Sequence, residues 1–313
     1  MSEDHHSQPH DPSSSPVLWA RPWDLVTPIE TTGVCSGISV VEFNHKIYAF
    51  FMVDDIPGRL GLSYLLLDNN TDNKLVELTQ EYLEVHNPAR GRPAVTVHEG
   101  HLFCFYTTLD QRVLYHVFSG VQWTHAQEVP GVLTQHAPSV SSMNGQLYLG
   151  VQGTSNGEFY HKVFENYEWG NTLKASGVRF KGTPSLAGNG SRMYAALTGV
   201  DDSMELYTLD NDVWKLLYRS GFYKVQGSPT LYAGGSMLIC ISVNAHDQRA
   251  VTEVLGAQGL GQTHPQFPYH LSVTNGKYLS EPSLVYVGEA LYLIGRRPCN
   301  DVGISLFKPP ISG

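Results

Sequence analysis

Charge is scarce in this chain, cysteines are few, and no apolar run is long. Asp, Glu, Lys and Arg together make up 16% of the residues, and cationic charge is the scarcer sign: 20 Lys and Arg against 29 Asp and Glu leave a net charge of −9 at pH 7. That balance disfavours nucleic acid and anionic membrane surfaces as partners, because both attract proteins through clustered positive charge. No continuous apolar stretch approaches the ~20 residues of a membrane-spanning helix, so no membrane span is expected. Four cysteines, Cys35, Cys104, Cys240 and Cys299, are too few for a disulfide scaffold across 313 residues, and none stands in a C-x-x-C pair. The opening residues, MSEDHHSQPHDPSSSP, lack the basic segment and apolar core of a secretory signal. A cytoplasmic location, or export without a classical signal peptide, is the expectation. Residues 1–16 read as a flexible polar tail, in which His5, His6 and His10 are not preorganised to hold a metal.

What the chain does have is turn-forming and aromatic residues: 30 Gly, 18 Pro and 17 Tyr point to many short strands and tight turns. They recur in a phrase. RPAVTVHEGHLFCF, APSVSSMNGQLYLG, TPSLAGNGSRMYAA and EPSLVYVGEALYLI share one grammar. A run of small and β-branched residues is followed by a Gly or Asn turn and then an alternating apolar run, which is the pattern of a β-hairpin. Aligning on Gly37, Pro93, Pro138, Pro184, Pro229 and Pro282 gives intervals of 56, 45, 46, 45 and 53 residues. A third strand follows each hairpin (RVLYHVF, GEFYHKVF, MELYTLD), then a Trp-bearing segment in which Trp123, Trp169 and Trp214 keep the same period.

Four strands in about 45 residues, repeated six times, is the pattern of a β-propeller blade. The expectation is an all-β, six-bladed propeller of four-stranded blades spanning residues 17–313 as a single domain. The sixth repeat supplies three strands. The N-terminal stretch LWARPWDLVTPI, with Trp23, is expected to add the fourth and so close the last blade, removing an open sheet edge. The regularly spaced Trp residues read as blade-packing residues before they read as sugar platforms.

The loops joining second to third strands place Asp55, Asp110, Asn156, Asp202, Asp247 and Asp301 at roughly matching positions, on the face where the segments entering each first strand bring Arg92, His136, Lys181, Gln226 and Tyr278. Arginines accompany them: Asp110-Gln111-Arg112 recurs as Asp247-Gln248-Arg249, and Arg296 and Arg297 lie in the last loop. Carboxylates, guanidinium groups and aromatic rings suit a saccharide, whose hydroxyls need donors and acceptors and whose C–H face stacks on a ring. The acidic positions could also coordinate calcium, although no cofactor is required. The plainer reading is turn chemistry, since Asp and Asn side chains bond nearby backbone groups. His98, His101, His116 and His161 fall in or beside strands and read as sheet residues, not metal ligands.

The phrases PSVSSMNGQLYLGVQGTSNGEFYHKVFENYEW and PSLAGNGSRMYAALTGVDDSMELYTLDNDVW resemble the repeats of microbial β-propeller lectins, including the fucose-binding and tectonin-like groups, with their recurring P-[SA]-L/V, G-x-L-Y and terminal Trp. The resemblance covers nearly all of the chain after the tail. It implies monosaccharide binding in clefts between adjacent blades through an arginine, a carboxylate and an aromatic, although no Arg, Glu and Trp set recurs here at fixed offsets. The expected function is noncovalent recognition of a glycan or glycoconjugate on the loop face or between blades. Two alternatives stand beside it: a carbohydrate-active hydrolase or lyase using carboxylates such as Asp110, Asp202 and Asp247 at the channel mouth, and a scaffold for protein partners. No catalytic residue is assigned, because none of the local signatures of hydrolases, metalloproteases or nucleotide-binding enzymes is present.

Overall fold

The computed structural model describes residues 18–19, 23–29, 34–53, 59–68, 74–84, 89–190, 192–221, 223–234, 237–255, 270–287, 290–298 and 302–307. Among them the secondary structure is all β, and no helix is long and apolar enough to cross a membrane. Two strands lead, β1 (Leu18–Trp19) and β2 (Trp23–Ile29). The first sheet is an antiparallel meander of β3 (Ser39–Phe43), β4 (Lys46–Met52), β5 (Arg59–Asp68) and β6 (Lys74–Glu84). The second repeats it with β7 (Ala89–His98), β8 (His101–Thr108), β9 (Arg112–Phe118) and β10 (Gln127–Leu133).

An eight-stranded sheet follows, built from β11 (Ser139–Met143), β12 (Gln146–Gln152), β13 (Glu158–Glu165), the short β14 (Glu168–Trp169), β15 (Leu173–Asn189), β16 (Arg192–Gly199), β17 (Met204–Asp210) and β18 (Val213–Arg219). The long β15 serves two meanders. Its Leu173, Lys174 and Arg179 pair with β13, and its stretch from Phe180 to Asn189 pairs with β16. Then come β19 (Val225–Gly234), β20 (Met237–Asn244), β21 (Arg249–Leu255) and β22 (His270–Lys277), and finally β23 (Ser283–Val287), β24 (Ala290–Arg296) and β25 (Val302–Phe307).

β2 pairs antiparallel with β25, from Trp23 opposite Phe307 to Ile29 opposite Val302. β1 departs from the expectation that the whole N-terminal stretch joins the last sheet, because it lies parallel to β22 in the preceding one.

The hairpins form where the sequence places mirror-image turns. Asn144 and Gly145 have φ of 52° and 73°, and Asn211 and Asp212 have φ of 48° and 62°, both residues left-handed as the twist of a two-residue hairpin requires. Strand register corrects the repeat alignment at its start. Ser39 stands opposite Phe50 as Ala94 stands opposite Phe105 and Ser139 opposite Gly150, so Ile38, and not Gly37, is the counterpart of the recurring proline.

The first strands of successive meanders touch in order, β3 to β7, β7 to β11, β11 to β15, β15 to β19 and β19 to β23, and β23 contacts β3. A hydroxyl after the proline position clips many of these neighbours together. Ser39 donates to the Pro93 carbonyl at 2.5 Å, Thr230 to the Pro282 carbonyl at 2.6 Å and Ser283 to the Ile38 carbonyl at 2.5 Å; Ser139 accepts from Leu186 N–H and Ser185 from Leu231 N–H, both at 2.9 Å.

Between the earlier sheets the core is rich in aromatic rings, and each repeated tryptophan packs backward. Trp123 stands edge-on to Phe50 of the first sheet at 6.0 Å, Trp169 edge-on to Phe105 of the second at 6.1 Å, and Trp214 lies 5.1 Å from Phe159, the distances being between ring centroids. Rings of this size bury enough apolar area to contribute about 1.5–3 kcal/mol each. The packing reading of the tryptophans therefore holds. Only Trp214 belongs to a fourth strand, however: β10 and the start of β15 form the fourth strands after Trp123 and Trp169, which lie on the short connection before them.

Candidate functional site

The acidic loop positions are mostly occupied with holding turns. The Asn156 side-chain oxygen accepts from Glu158 N–H at 3.1 Å, and Asp247 accepts from Arg249 N–H at 3.1 Å. The equivalent residue in the next repeat is Asp201 and not Asp202: Asp201 accepts from Ser203 N–H at 3.1 Å and from its hydroxyl at 2.6 Å. Asp202 instead takes the left-handed position, φ 67°, that Gln111 and Gln248 take elsewhere, and its carboxylate meets Lys181 at 2.6 Å. Asp110 accepts from the Thr108 hydroxyl and pairs with Arg112 at 2.7 Å, and Arg112 reaches on to Glu128 at 3.1 Å. Those bonds, the Thr108 hydroxyl first, hold the Asp110 carboxyl below its usual range, and the Ser203 hydroxyl does the same for Asp201. The Asp247–Arg249 pair is loose, at 3.9 Å. Asp55 and Asp301 lie outside the described residues, as does Cys299. Among the described residues no group of three or more His, Cys, Asp or Glu is placed to hold a metal ion.

Of the sequence candidates, Arg92 and His136 do converge. They line a cavity of about 310 Å³ with Arg90, Cys35, Gln135 and Glu281, where the segments entering β3, β7, β11 and β23 meet. A bulge in β7 between Arg90 and Ala94, with Gly91 at φ 73°, turns these residues inward. Arg92 donates to the Thr230 hydroxyl at 3.3 Å. Burial lowers its pKa and Glu281 opposes the shift. Burial also lowers the pKa of His136, helped by the charge on Arg90. Arg297 is half-buried beside β25, its stem against Gly303, and does not line this cavity.

A second cavity, of about 390 Å³, lies on the opposite face, between the second sheet and β13 to β14. Its walls are aromatic and its rim polar: Trp123, Tyr115 and Phe103 on one side, Tyr167 on the other, with His98 and Gln127 among the polar groups. Tyr115 donates to the Gln127 carbonyl oxygen at 2.9 Å, leaving the amide NH2 as that side chain's donor. Nδ1 of His98 and the Ser142 hydroxyl share a hydrogen bond of 2.8 Å across the gap between sheets. Burial lowers the His98 pKa, which favours the neutral ring.

Tyr167 is 84% exposed and sits at φ 64°, a left-handed conformation that a bulky side chain rarely takes. From the sequence Trp123 reads as a packing ring and His98 as a sheet residue, and the loop pattern of the other face gives no pointer to Tyr115, Gln127 or Tyr167. The dipeptide Asn166–Tyr167, at a turn where Asn–Gly would be the easy choice, is the signal that points there.

No protein-family model and no curated protein matches the sequence. Solved structures do. The fucose-specific lectin of Aleuria aurantia superposes with a TM-score of 0.64 at 10% identity, covering 90% of this chain and all of that one. Another structure of the same lectin, described as a six-bladed β-propeller with a novel fucose recognition mode, gives 0.62 over the same shares. A Trypanosoma rangeli sialidase complexed with 2,3-difluorosialic acid gives 0.64 at 12% identity, covering 92% of this chain and 59% of that one. The chain is therefore a β-propeller.

Proposed function

We propose that residues 17–313 form one six-bladed propeller, closed by β2 against β25, that binds glycans noncovalently in the cleft between its second and third blades. The exposed aromatic at the cleft's rim carries the reading: Tyr167 faces solvent over a cavity the size of a small saccharide, with further rings and amide groups on its walls. The Aleuria lectin, which shares the fold, is fucose-specific, so fucosides are the first sugars to try. Six blades are supported by the six-bladed description of that neighbour and by the division of β15 between two meanders. Closure is supported by the β2–β25 ladder and by the Ser283–Ile38 clip.

The test is a glycan array with and without calcium, followed by calorimetry on the best ligand. The cleft as described calls for calcium-independent, saturable binding with a stoichiometry near one sugar per chain. No saturable binding to any sugar, or binding that survives loss of the Tyr167 ring, counts against it.

A further inference from the structure

Arg90 presents an unusual edge. Its Nε and Nη2 are buried and have no hydrogen-bond partner among the described residues. These two nitrogens share one edge of the planar guanidinium, and their N–H groups form the fork that matches the two oxygens of a carboxylate. Leaving charged donors unsatisfied costs more than leaving neutral ones, so a bare guanidinium edge beside a cavity needs an explanation.

The surroundings select an anion. Each repeat contributes one residue just before the proline position to the centre of the assembly, and in chain order these are Gly37, Arg92, Ala137, Thr183, Ser228 and Glu281. On one side the set satisfies itself: Glu281 accepts from Ser228 N–H at 3.0 Å and the Ser228 hydroxyl accepts from Thr183 N–H at 2.8 Å. Gly37 leaves the space between Arg92 and Glu281 open; a Cβ there would stand 2.9 Å from Arg92 Cδ and 3.2 Å from a Glu281 oxygen. Glu281 offsets the Arg92 charge, while Arg90, beside His136, has no carboxylate within ion-pair distance among the described residues. Among the described residues the local balance is one positive charge without a partner.

We propose that this vestibule is a second binding site, for a ligand bearing a carboxylate and no larger than one sugar residue, which Arg90 grips through Nε and Nη2. Both nitrogens are closed to water in the unliganded chain, so the side chain turns into the vestibule to take its ligand. Arg92, tied to Thr230, forms a charged floor. The site stands apart from the aromatic cleft, and neither depends on the other.

The experiment is thermal unfolding and calorimetry of the full chain with sodium glucuronate, N-acetylneuraminate and acetate, against the uncharged methyl ester of glucuronate and against sulfate at matched ionic strength. Carboxylates should raise the melting temperature saturably, with the ester inert. Equal responses to acetate and glucuronate identify the carboxylate alone as the ligand, and a response confined to the sugar acids shows that the ring is read as well; both support the site. Arg90→Gln and Arg90→Lys should each weaken binding at least tenfold, the second because it keeps the charge and loses the fork. Neither variant should unfold earlier than the parent without ligand, since the lost nitrogens bond nothing. The proposal is overturned by no carboxylate effect, by an equal effect of sulfate, by full binding in Arg90→Lys, or by an Arg90→Gln variant that melts markedly earlier without ligand. Sugar binding at the cleft, measured in parallel, should be unchanged in both variants, so the two sites fail or hold separately.

Discussion

Tyr167 holds a left-handed backbone conformation that costs an ordinary L-residue about 1–2 kcal/mol, and it spends that cost on exposing a ring. Tyr167→Gly relaxes the turn to the preferred Asn–Gly pair, so the variant should be more stable than the parent by about 0.5–1 kcal/mol while binding sugar at least tenfold more weakly. Denaturant unfolding and calorimetry on the same preparation check this, and a variant that loses both stability and binding would mean the ring is packing, not ligand-facing. At this scale the sequence was partly legible. Asp110, Asn156 and Asp247 are recognisable as turn formers from residue type alone, and they do bond their own loops. The choice between Asp201 and Asp202 was not legible. Two adjacent aspartates carry the same chemistry, and only the strand register shows which one accepts from the backbone two residues on. The cleft was hidden for a different reason: its rings come from β8, β9, the connection before β10 and the turn before β14 of the next repeat, and all but Tyr167 are accounted for by ordinary core packing.

Strand order and the hairpin turns follow from the repeated phrase, since alternation fixes which face is buried and Asn–Gly fixes the register. What the phrase does not reveal is the role of the hydroxyl after the proline, because Ser, Thr and Ala all suit a small-residue run. In place, these hydroxyls join neighbouring meanders and differ in what they leave behind when removed. Ser185→Ala strands a buried Leu231 N–H and should cost about 1–3 kcal/mol, whereas Ser283→Ala removes only a donor to the Ile38 carbonyl and should cost about 1 kcal/mol. Equal losses in denaturant titrations would show that the direction of the bond does not matter. A second device between elements is Glu253 on β21, buried and accepting from Tyr218 at 2.8 Å and Tyr223 at 2.7 Å. Burial raises its pKa in the folded chain, the tyrosine bonds opposing the shift. A carboxyl whose folded pKa lies above its unfolded one stabilises the fold at low pH, and that contribution is lost as pH rises from the ordinary carboxylate value through the folded pKa. Glu253→Gln should therefore gain stability relative to the parent as pH rises, with the two melting temperatures converging near pH 4. A difference that does not change with pH would show that the carboxyl is not strained by its burial.

At the scale of the whole molecule the question is what keeps a ring of meanders from opening. Successive first strands contact one another, but each such contact is local, and a repeat assembly is held shut only where its ends meet. Besides the apolar core that the first and last sheets share and the bond from Arg296 to the Cys35 carbonyl at 2.9 Å, two contacts do this work in the proposed ring. Ser283 reaches Ile38 at the centre, and β2 lies along β25 further out, pairing over most of its seven residues despite the bulge between Leu25 and Thr27. The outer contact is the larger, since without β2 the edge of β25 would be left unpaired and open to other chains. Removing residues 1–16 should leave the melting temperature within about 1 °C of the parent, because the tail carries no apolar pattern with which to pack. Removing residues 1–29 should lower it by on the order of 10 °C or leave the protein aggregated, because several kcal/mol of strand pairing are lost and about 2–4 °C follow each kcal/mol in domains of this general size. Adding residues 17–29 back as a separate peptide should restore solubility and part of the lost melting temperature. A chain that tolerates the longer deletion without change would show that β2 decorates the last sheet and does not close the ring.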